Sequence, residues 1–379
     1  MRFPKPIKKG DTIAIAAPSF GATTEPYASR LKEAIRRFKD RGYNVVIGEC
    51  CFKSDGLGIS TDPKAAAAEL QNFYLDPKIS AVFSCGGGEL MCETISHLDF
   101  EKIKNAEPKW FLGYSDNTNF IFPLVTLCSV PALYGPNAPG FGKPWEQPEN
   151  DTFRLLEGAG FTVEGYPMFQ NPDVQSDDPL SAYIFTDKKK LVCYVPTEGK
   201  IKNKSETKSE AGLNRGFAVD FAGKTLKKLS AGENLKIEGT LLGGCLDCLV
   251  GLSGTRFDGV ESFNREHKKV VWVLESCDYN PMDIRRALWH LKESGWFKNA
   301  AGFVFGRPLA AFKREVFGVN QYNAVTDVLG ELGIPVVLDA DFGHIDPAMP
   351  LVIGADAEVL VKDNDIKIKM NGISKSCNF

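Results

Sequence analysis

The sequence predicts an α/β protein with an N-terminal doubly wound, mostly parallel sheet and a second C-terminal α/β domain. Two observations carry this. Short apolar runs alternate with amphipathic helical stretches along both ends of the chain, the pattern of parallel strands joined by helical crossovers. The chain has 379 residues, enough for two domains with sizeable cores.

Taken in order, Thr12–Ala17 reads as a first buried strand, with Pro18-Ser-Phe-Gly21 as the loop at its end. Tyr27–Arg41 places Leu31, Ala34, Ile35 and Phe38 on one helical face, and Gly42 ends it. Tyr43–Ile47 is a second strand. Ala65–Leu75 is a helix with Asp62-Pro63 at its start, and Ile79–Cys85 is a third strand. Gly86-Gly87-Gly88 follows, then a helix over Glu89–Ile95. Trp110–Leu112 is a fourth strand, and apolar residues at Phe120, Ile121, Leu124 and Leu127 suit a helix beginning near Asn117. Tyr134–Gly142 is a Gly/Pro-rich break. After it, residues 143–235 read as a linker or insertion with long loops, because Asn171–Ser181 and Thr197–Gly216 are polar and loop-like. The pattern tightens from residue 236: a strand from Gly239 turning into a helix, strand Lys269–Glu275, helix Asp283–Ser294, strand Ala301–Phe305, helix Tyr322–Leu332, strand Pro335–Asp341, and a hairpin over Glu358–Met370. The expected organisation is therefore 1–142, 143–235 and 236–379.

Apolar residues make up 43%, charged residues 25%, and the net charge is −3, which excludes a strongly basic nucleic-acid or membrane-surface protein. The apolar run Ile13–Ala17 is too short for a signal h-region or a membrane span. Most of the ten cysteines lie in apolar runs, as reduced cysteines do in a cytoplasmic chain. Cys245-Leu-Asp-Cys248 has C-x-x-C spacing, but the second pair a zinc ribbon requires is not nearby. No metal or cofactor is expected. Lys188-Lys-Lys190 reads as a solvated face.

In open parallel sheets, sites form outside the C-terminal strand ends. Ser115 falls in a tight strand-to-helix turn there, where free N–H groups favour an oxyanion; Ser115, Asp116 or Asn117 can equally cap the helix. A serine nucleophile needs an imidazole base, and the imidazole needs a carboxylate. Of the four histidines, His344 follows a glycine at a strand end. His97 is beside a helix end, His267 is in a charged turn, and His290 is mid-helix. Glu275 ends a strand, with Asp278 and Asp283 as nearby rivals. Gly86–Gly88 can approach a ligand closely as a clamp or oxyanion hole, or be a structural turn; as a dinucleotide fingerprint it fails, with Met91 at the third glycine position. The order serine, acid, histidine matches α/β-hydrolases, but Asn117 breaks the G-x-S-x-G elbow.

Gly113-Tyr-Ser-Asp116, the glycine loop after Phe83-Ser-Cys85, Gly239-Thr-Leu-Leu-Gly-Gly244, Leu274-Glu275, Gly306-Arg307 and Gly343-His344, in this order, resemble the LD-carboxypeptidase family. This is peptidase family S66, which includes the microcin C self-immunity peptidases. The resemblance implies a serine peptidase with Ser115 as nucleophile, His344 as base and Glu275 as orienting acid. It also implies an oxyanion hole from the N–H of Asp116 and of Gly87 or Gly88, and a homodimer needing no metal. The chain length points to the longer, immunity-type members, which cleave an amide between an aminoacyl or peptidyl group and a nucleotide. The alternative is a murein tetrapeptide carboxypeptidase. Residues 166–235 contain no tryptophan, so Tyr183 or Tyr194 would have to supply any base stacking. Rival readings are an esterase-like α/β hydrolase and a non-catalytic nucleotide- or peptide-binding protein.

Overall fold

Five strands of the N-terminal half, β1 (Thr12–Ala16), β2 (Asn44–Ile47), β3 (Ala81–Ser84), β4 (Trp110–Gly113) and β5 (Ala132–Tyr134), run parallel in the order β5-β4-β3-β1-β2. This is a computed structural model, and it describes residues 1–197, 219–221, 224–230 and 232–371. The polar segment expected to form a surface loop over Thr197–Gly216 lies, from residue 198 on, outside the described residues. The inner strands β1, β3 and β4 are buried on both faces, which is why they read as unbroken apolar runs. Strand order reverses between β1 and β3, so their C-terminal loops face one crevice.

The crossover helices follow ordinary capping rules. Helix Tyr27–Asp40 buries Leu31, Ala34 and Phe38, and the chain leaves it through Gly42 at φ +100°. Helix Pro63–Leu75 starts with proline in its first turn and Asp62 Oδ1 accepting the N–H groups of Lys64 and Ala65. The helix expected from Glu89 begins at Met91.

The second sheet has ten strands. Its centre is four parallel strands, Asn234–Cys245, Val270–Glu275, Ala300–Gly306 and Val336–Ala340. Antiparallel strands flank them, including the hairpin Asp356–Lys362/Asp365–Asn371. The described parts of 143–235 hold more strands than the composition suggests. Thr162–Glu164 pairs at one edge of the sheet, and Val192–Pro196 with Lys224–Lys228 and Val219–Phe221 builds the other. Apart from the local pairing of Val219–Phe221 with Lys224–Lys228, these strands are short and find their partners far away in the chain, so no local pattern announces them.

Helix Thr118–Thr126 is buried along its whole length and packs against strand Asn234–Cys245 and helix Leu246–Leu252. Phe122 stacks on Trp296, with ring centroids 4.9 Å apart, joining the two halves in one core. Strand Leu351–Ile353 also crosses over and pairs antiparallel with β5. Among the described residues no helix is long and apolar enough to cross a membrane.

Candidate active site

Strand β4 delivers Ser115 in the left-handed region, at φ +65°. For a residue with a Cβ this conformation costs about 1 kcal/mol or more, so neighbours must hold it. The Ser115 N–H donates to Tyr134 Oη at 3.2 Å. Asn117 Nδ2 donates to the carbonyls of Gly86 (2.8 Å) and Tyr114 (3.0 Å) and to Asn137 Oδ1. Asn117 thus stands where the usual elbow has glycine and latches the turn with its side chain. The turn is a short 3-10 segment, Ser115–Asn117, before the α-helix.

The Ser115 Oγ lies 2.9 Å from His344 Nε2, and His344 Nδ1 lies 2.6 Å from Glu275 Oε2. Tyr134 donates its hydroxyl to Glu275 Oε1 at 2.5 Å. Glu275 is the last residue of strand Val270–Glu275 and is 1% exposed. The structure therefore brings Ser115, His344 and Glu275 together although 229 and 69 residues separate the bonded pairs. Gly343 explains the glycine before His344: its φ is +98°, and an added Cβ would lie 2.8 Å from Glu275 Cβ. Gly306 is equally tight, with room for a Cβ blocked by Phe342 O at 2.1 Å. Tyr114 covers the imidazole, with ring centroids 5.0 Å apart.

Neither rival carboxylate bonds His344. Asp278 is exposed, and Asp283 accepts the Asn280 N–H in the capping box of helix Pro281–Glu293 and pairs with Arg286. Nor do the other histidines reach Ser115. His97 is exposed, His267 Nδ1 lies 2.9 Å from Thr240 Oγ1, and His290 is on helix Pro281–Glu293.

Burial works against a charged His344, but the Glu275 carboxylate and hydrogen bonding with Cys277 and Glu275 overcome it, and its pKa is held well above the usual imidazole value.

The glycine loop touches Ser115. A Cβ on Gly87 would lie 3.1 Å from both Ser115 Cβ and Oγ, so only glycine gives this approach without displacing the serine. The carbonyl of Gly86 accepts Ser84 Oγ and Asn117, and that of Gly87 accepts the Phe20 N–H. No acceptor among the described residues takes the N–H of Gly87 or Gly88. The Asp116 side chain has structural work of its own. It is 2% exposed and accepts Ser19 Oγ, the Met91 N–H and Asn119 Nδ2, tying the turn to the crevice at the ends of β1 and β3. Burial raises its pKa, against those hydrogen bonds.

A cavity of about 330 Å³ opens beside Ser115, lined among others by Gly88, Asp116, Cys248, Cys277 and Tyr279. Tyr183 sits near the His344 loop: its hydroxyl donates to Glu149, and Lys143 lies over its ring while pairing with Asp346. Tyr194 pairs instead with Val336, at the opposite end of the strand from His344. Lys189 is buried against Asp365, while Lys188 and Lys190 are exposed. No group of three or more His, Cys, Asp or Glu among the described residues could hold a metal ion.

Sequence reasoning missed Tyr134, Asn117 and Asn137 as supports of the serine turn. Tyr134 was visible only as the edge of a Gly/Pro-rich break. Asn117 was visible only as a fault in the elbow motif.

Comparison with known proteins adds the family context. A model of the LD-carboxypeptidase N-terminal domain matches residues 13–135, and one of the LD-carboxypeptidase C-terminal domain matches 238–359. The microcin C7 self-immunity protein MccF of Escherichia coli is 24% identical, covering 96% of this chain and 94% of its own. A solved structure of MccF in complex with aspartyl sulfamoyl adenosine superposes with TM-score 0.72 at 20% identity, covering 98% of both chains. The muramoyltetrapeptide carboxypeptidase from Oxalobacter formigenes superposes with TM-score 0.66 at 21% identity, over 95% of this chain and 99% of that one.

Proposed function

The chain belongs to the LD-carboxypeptidase family, and from that premise we propose that it is a serine-type carboxypeptidase or amidase working through Ser115, His344 and Glu275. The observation that carries the reading is the hydrogen-bonded series Glu275–His344–Ser115, with Gly87 packed against the serine. In this reading Ser115 Oγ attacks the carbonyl carbon of an amide while His344 Nε2 takes its proton. Glu275 keeps Nδ1 protonated and steadies the imidazolium. The tetrahedral oxyanion is received by the N–H groups of Asp116 and of Gly87 or Gly88. Collapse expels the amine, which takes its proton from His344. Water then releases the acyl group by the same steps in reverse order.

The substrate in this reading is an aminoacyl- or peptidyl-nucleotide amide, as in microcin C-type detoxification. MccF has been solved with such an analogue, and Tyr183 and Phe185 stack on one another beside the His344 loop, with Phe185 40% exposed. A murein tetrapeptide is the second reading, favoured by the lack of any tryptophan over 166–235 and by the likeness to a muramoyltetrapeptide carboxypeptidase. Nine free cysteines among the described residues suit a cytoplasmic setting, and a homodimer is the assembly proposed.

The test is turnover of aspartyl sulfamoyl adenosine and murein tetrapeptide side by side, with products identified by mass. The preferred reading expects faster release of aspartate than of D-alanine, and the reverse ranking selects the murein reading. Tight binding of either compound with no amide cleavage would leave a binding protein instead.

A further inference from the structure

Cys245-Leu-Asp-Cys248 is the sequence motif that the proposed reaction leaves unused. It sits where strand Asn234–Cys245 turns into helix Leu246–Leu252. Each thiol acts on the titration of the other, and residues three apart across a first helical turn have Cα atoms ~5–6 Å apart, within the range that a disulfide spans. Cys245 is 2% exposed, with Sγ 3.4 Å from Asp247 Oδ2. Cys248 is half-buried and lines the cavity beside the serine. Its Sγ lies 3.7 Å from the Ser115 carbonyl oxygen and 3.9 Å from Asp116 Oδ1. Both thiols line the cavity, and Cys248, the less buried of the two, rests against the Ser115 turn.

We propose that Cys245 and Cys248 are a reversible modification site, a dithiol that hydrogen peroxide converts to an intrachain disulfide and that thereby lowers turnover at Ser115. The Cys248 sulfur attacks one peroxide oxygen, the O–O bond breaks, and water leaves, giving a sulfenic acid. The Cys245 sulfur then attacks the Cys248 sulfur, the S–O bond breaks, and a second water carries off the remaining proton. Two thiols become one disulfide, and one hydrogen peroxide is reduced. Cys248 takes the first step because it is the less buried of the two. The neighbouring Cys245 thiol favours the Cys248 thiolate, but burial and the carboxylates of Asp116 and Asp247 outweigh it and raise the thiol. The reaction is accordingly slow at neutral pH and quickens as pH rises.

The coupling to activity is geometric. Closing an S–S bond of ~2.05 Å withdraws Cys248 Sγ from the Ser115 carbonyl and from Asp116. The same turn donates the Cys245 N–H to Thr118 Oγ1 at 3.0 Å, and Asp247 accepts the N–H groups of Cys277, Asp278 and Tyr279 just after Glu275. Rearranging residues 245–248 therefore acts on both walls of the cavity.

The activity arm of the test rests on the peptidase reading, whereas the mass and melting arms do not. The full chain is treated with hydrogen peroxide at neutral and at mildly alkaline pH, then followed by intact mass, peptide mapping, melting temperature and turnover. The expected result is loss of two hydrogen atoms, a crosslink mapped to Cys245–Cys248, a shifted melting temperature and a several-fold fall in turnover. Dithiothreitol restores the mass, the melting temperature and the turnover. Cys245→Ser, with Cys248→Ser as the second variant, abolishes the crosslink and removes the dithiothreitol-reversible part of the loss, each read against its own untreated sample. No crosslink at this pair overturns the proposal, as does an equal reversible loss in both variants, or a crosslink that forms while turnover on a cleaved substrate stays unchanged. If neither amide is cleaved by the untreated protein, the peptidase reading fails while the crosslink and its reversal still decide the site.

Discussion

The two sheets meet at one hydrogen-bonded series, but they hold their ends of it by different means. In the first sheet, Ser115 sits in a strained conformation, at φ +65°, in a turn held by hydrogen bonds, chiefly its own N–H to Tyr134 Oη and Asn117 Nδ2 to the Tyr114 carbonyl. In the second, Glu275 and His344 are held by close packing, with Gly306 and Gly343 leaving no room for a Cβ between the two strand ends. A serine's direction is set by backbone torsion, so latches suffice. An imidazole and a carboxylate must be set at one distance from each other, and that requires contact. Damage on the serine side should therefore act on chemistry with little loss of fold, whereas damage on the glycine side should cost both.

The largest effect tests whether the two sides form one unit. Ser115→Ala and His344→Ala are each expected to lower kcat by about 10⁴ to 10⁶ with melting temperature nearly unchanged, and the double variant to be no worse than the poorer single one. Losses that multiply in the double variant would show two independent contributions and end the triad assignment.

Next is Glu275→Gln, expected to cost about 10² to 10⁴ in kcat. Its pH profile sharpens the comparison. His344 must be neutral to accept a proton, and Glu275 holds its pKa up against burial. In the wild type kcat/KM should fall on the acid side with a midpoint above ~6.5, and in Glu275→Gln burial dominates and the midpoint should move down. Because the folded pKa is raised, the pair's charge interaction stabilises the fold below ~6.5 and fades as pH rises through the folded value. The melting gap between wild type and Glu275→Gln should shrink over the same range. An acid limb that does not move would separate His344 from Glu275.

Gly343→Ala comes third. The left-handed backbone and the 2.8 Å approach to Glu275 Cβ should cost ~1–3 kcal/mol, with kcat falling at least tenfold. Calorimetry and kinetics on one preparation check both, and unchanged stability would count against packing as the means by which this side is held.

The smallest effect is expected for Tyr134→Phe, which removes the one hydroxyl joining the Ser115 N–H to Glu275 Oε1. A loss of about 1 kcal/mol in transition-state stabilisation, roughly five- to tenfold in kcat, is anticipated, with KM unchanged. A KM effect alone would place Tyr134 in substrate contact instead.

Much of this was legible from the chain, and the reason is local. Buried parallel strands are continuous apolar runs, and strand ends in such sheets are where ligands bind, so Ser115, Glu275 and His344 could be nominated by address, with Asp278 and Asp283 as rivals that only the family resemblance set aside. What could not be read depends on pairing across the fold. Asn117 looks like a defect in a motif until Gly86 and Asn137 are beside it. Tyr134 looks like loop until Glu275 arrives from 141 residues away. Val192–Pro196 has neither length nor alternation to mark it as a strand, and its partner Val336–Ala340 supplies the order.

One crossing of the chain has a consequence for the living cell. Strand Leu351–Ile353, only seven residues beyond His344, completes the edge of the first sheet by pairing with Ala132–Tyr134. A ribosome delivers the serine half first. That half emerges with an open strand edge and a Tyr134 whose carboxylate partner does not yet exist. The nascent half therefore carries an open edge until the segment that closes it follows directly behind His344. Completion of the sheet and the meeting of His344 with Ser115 are timed to the same stretch of synthesis.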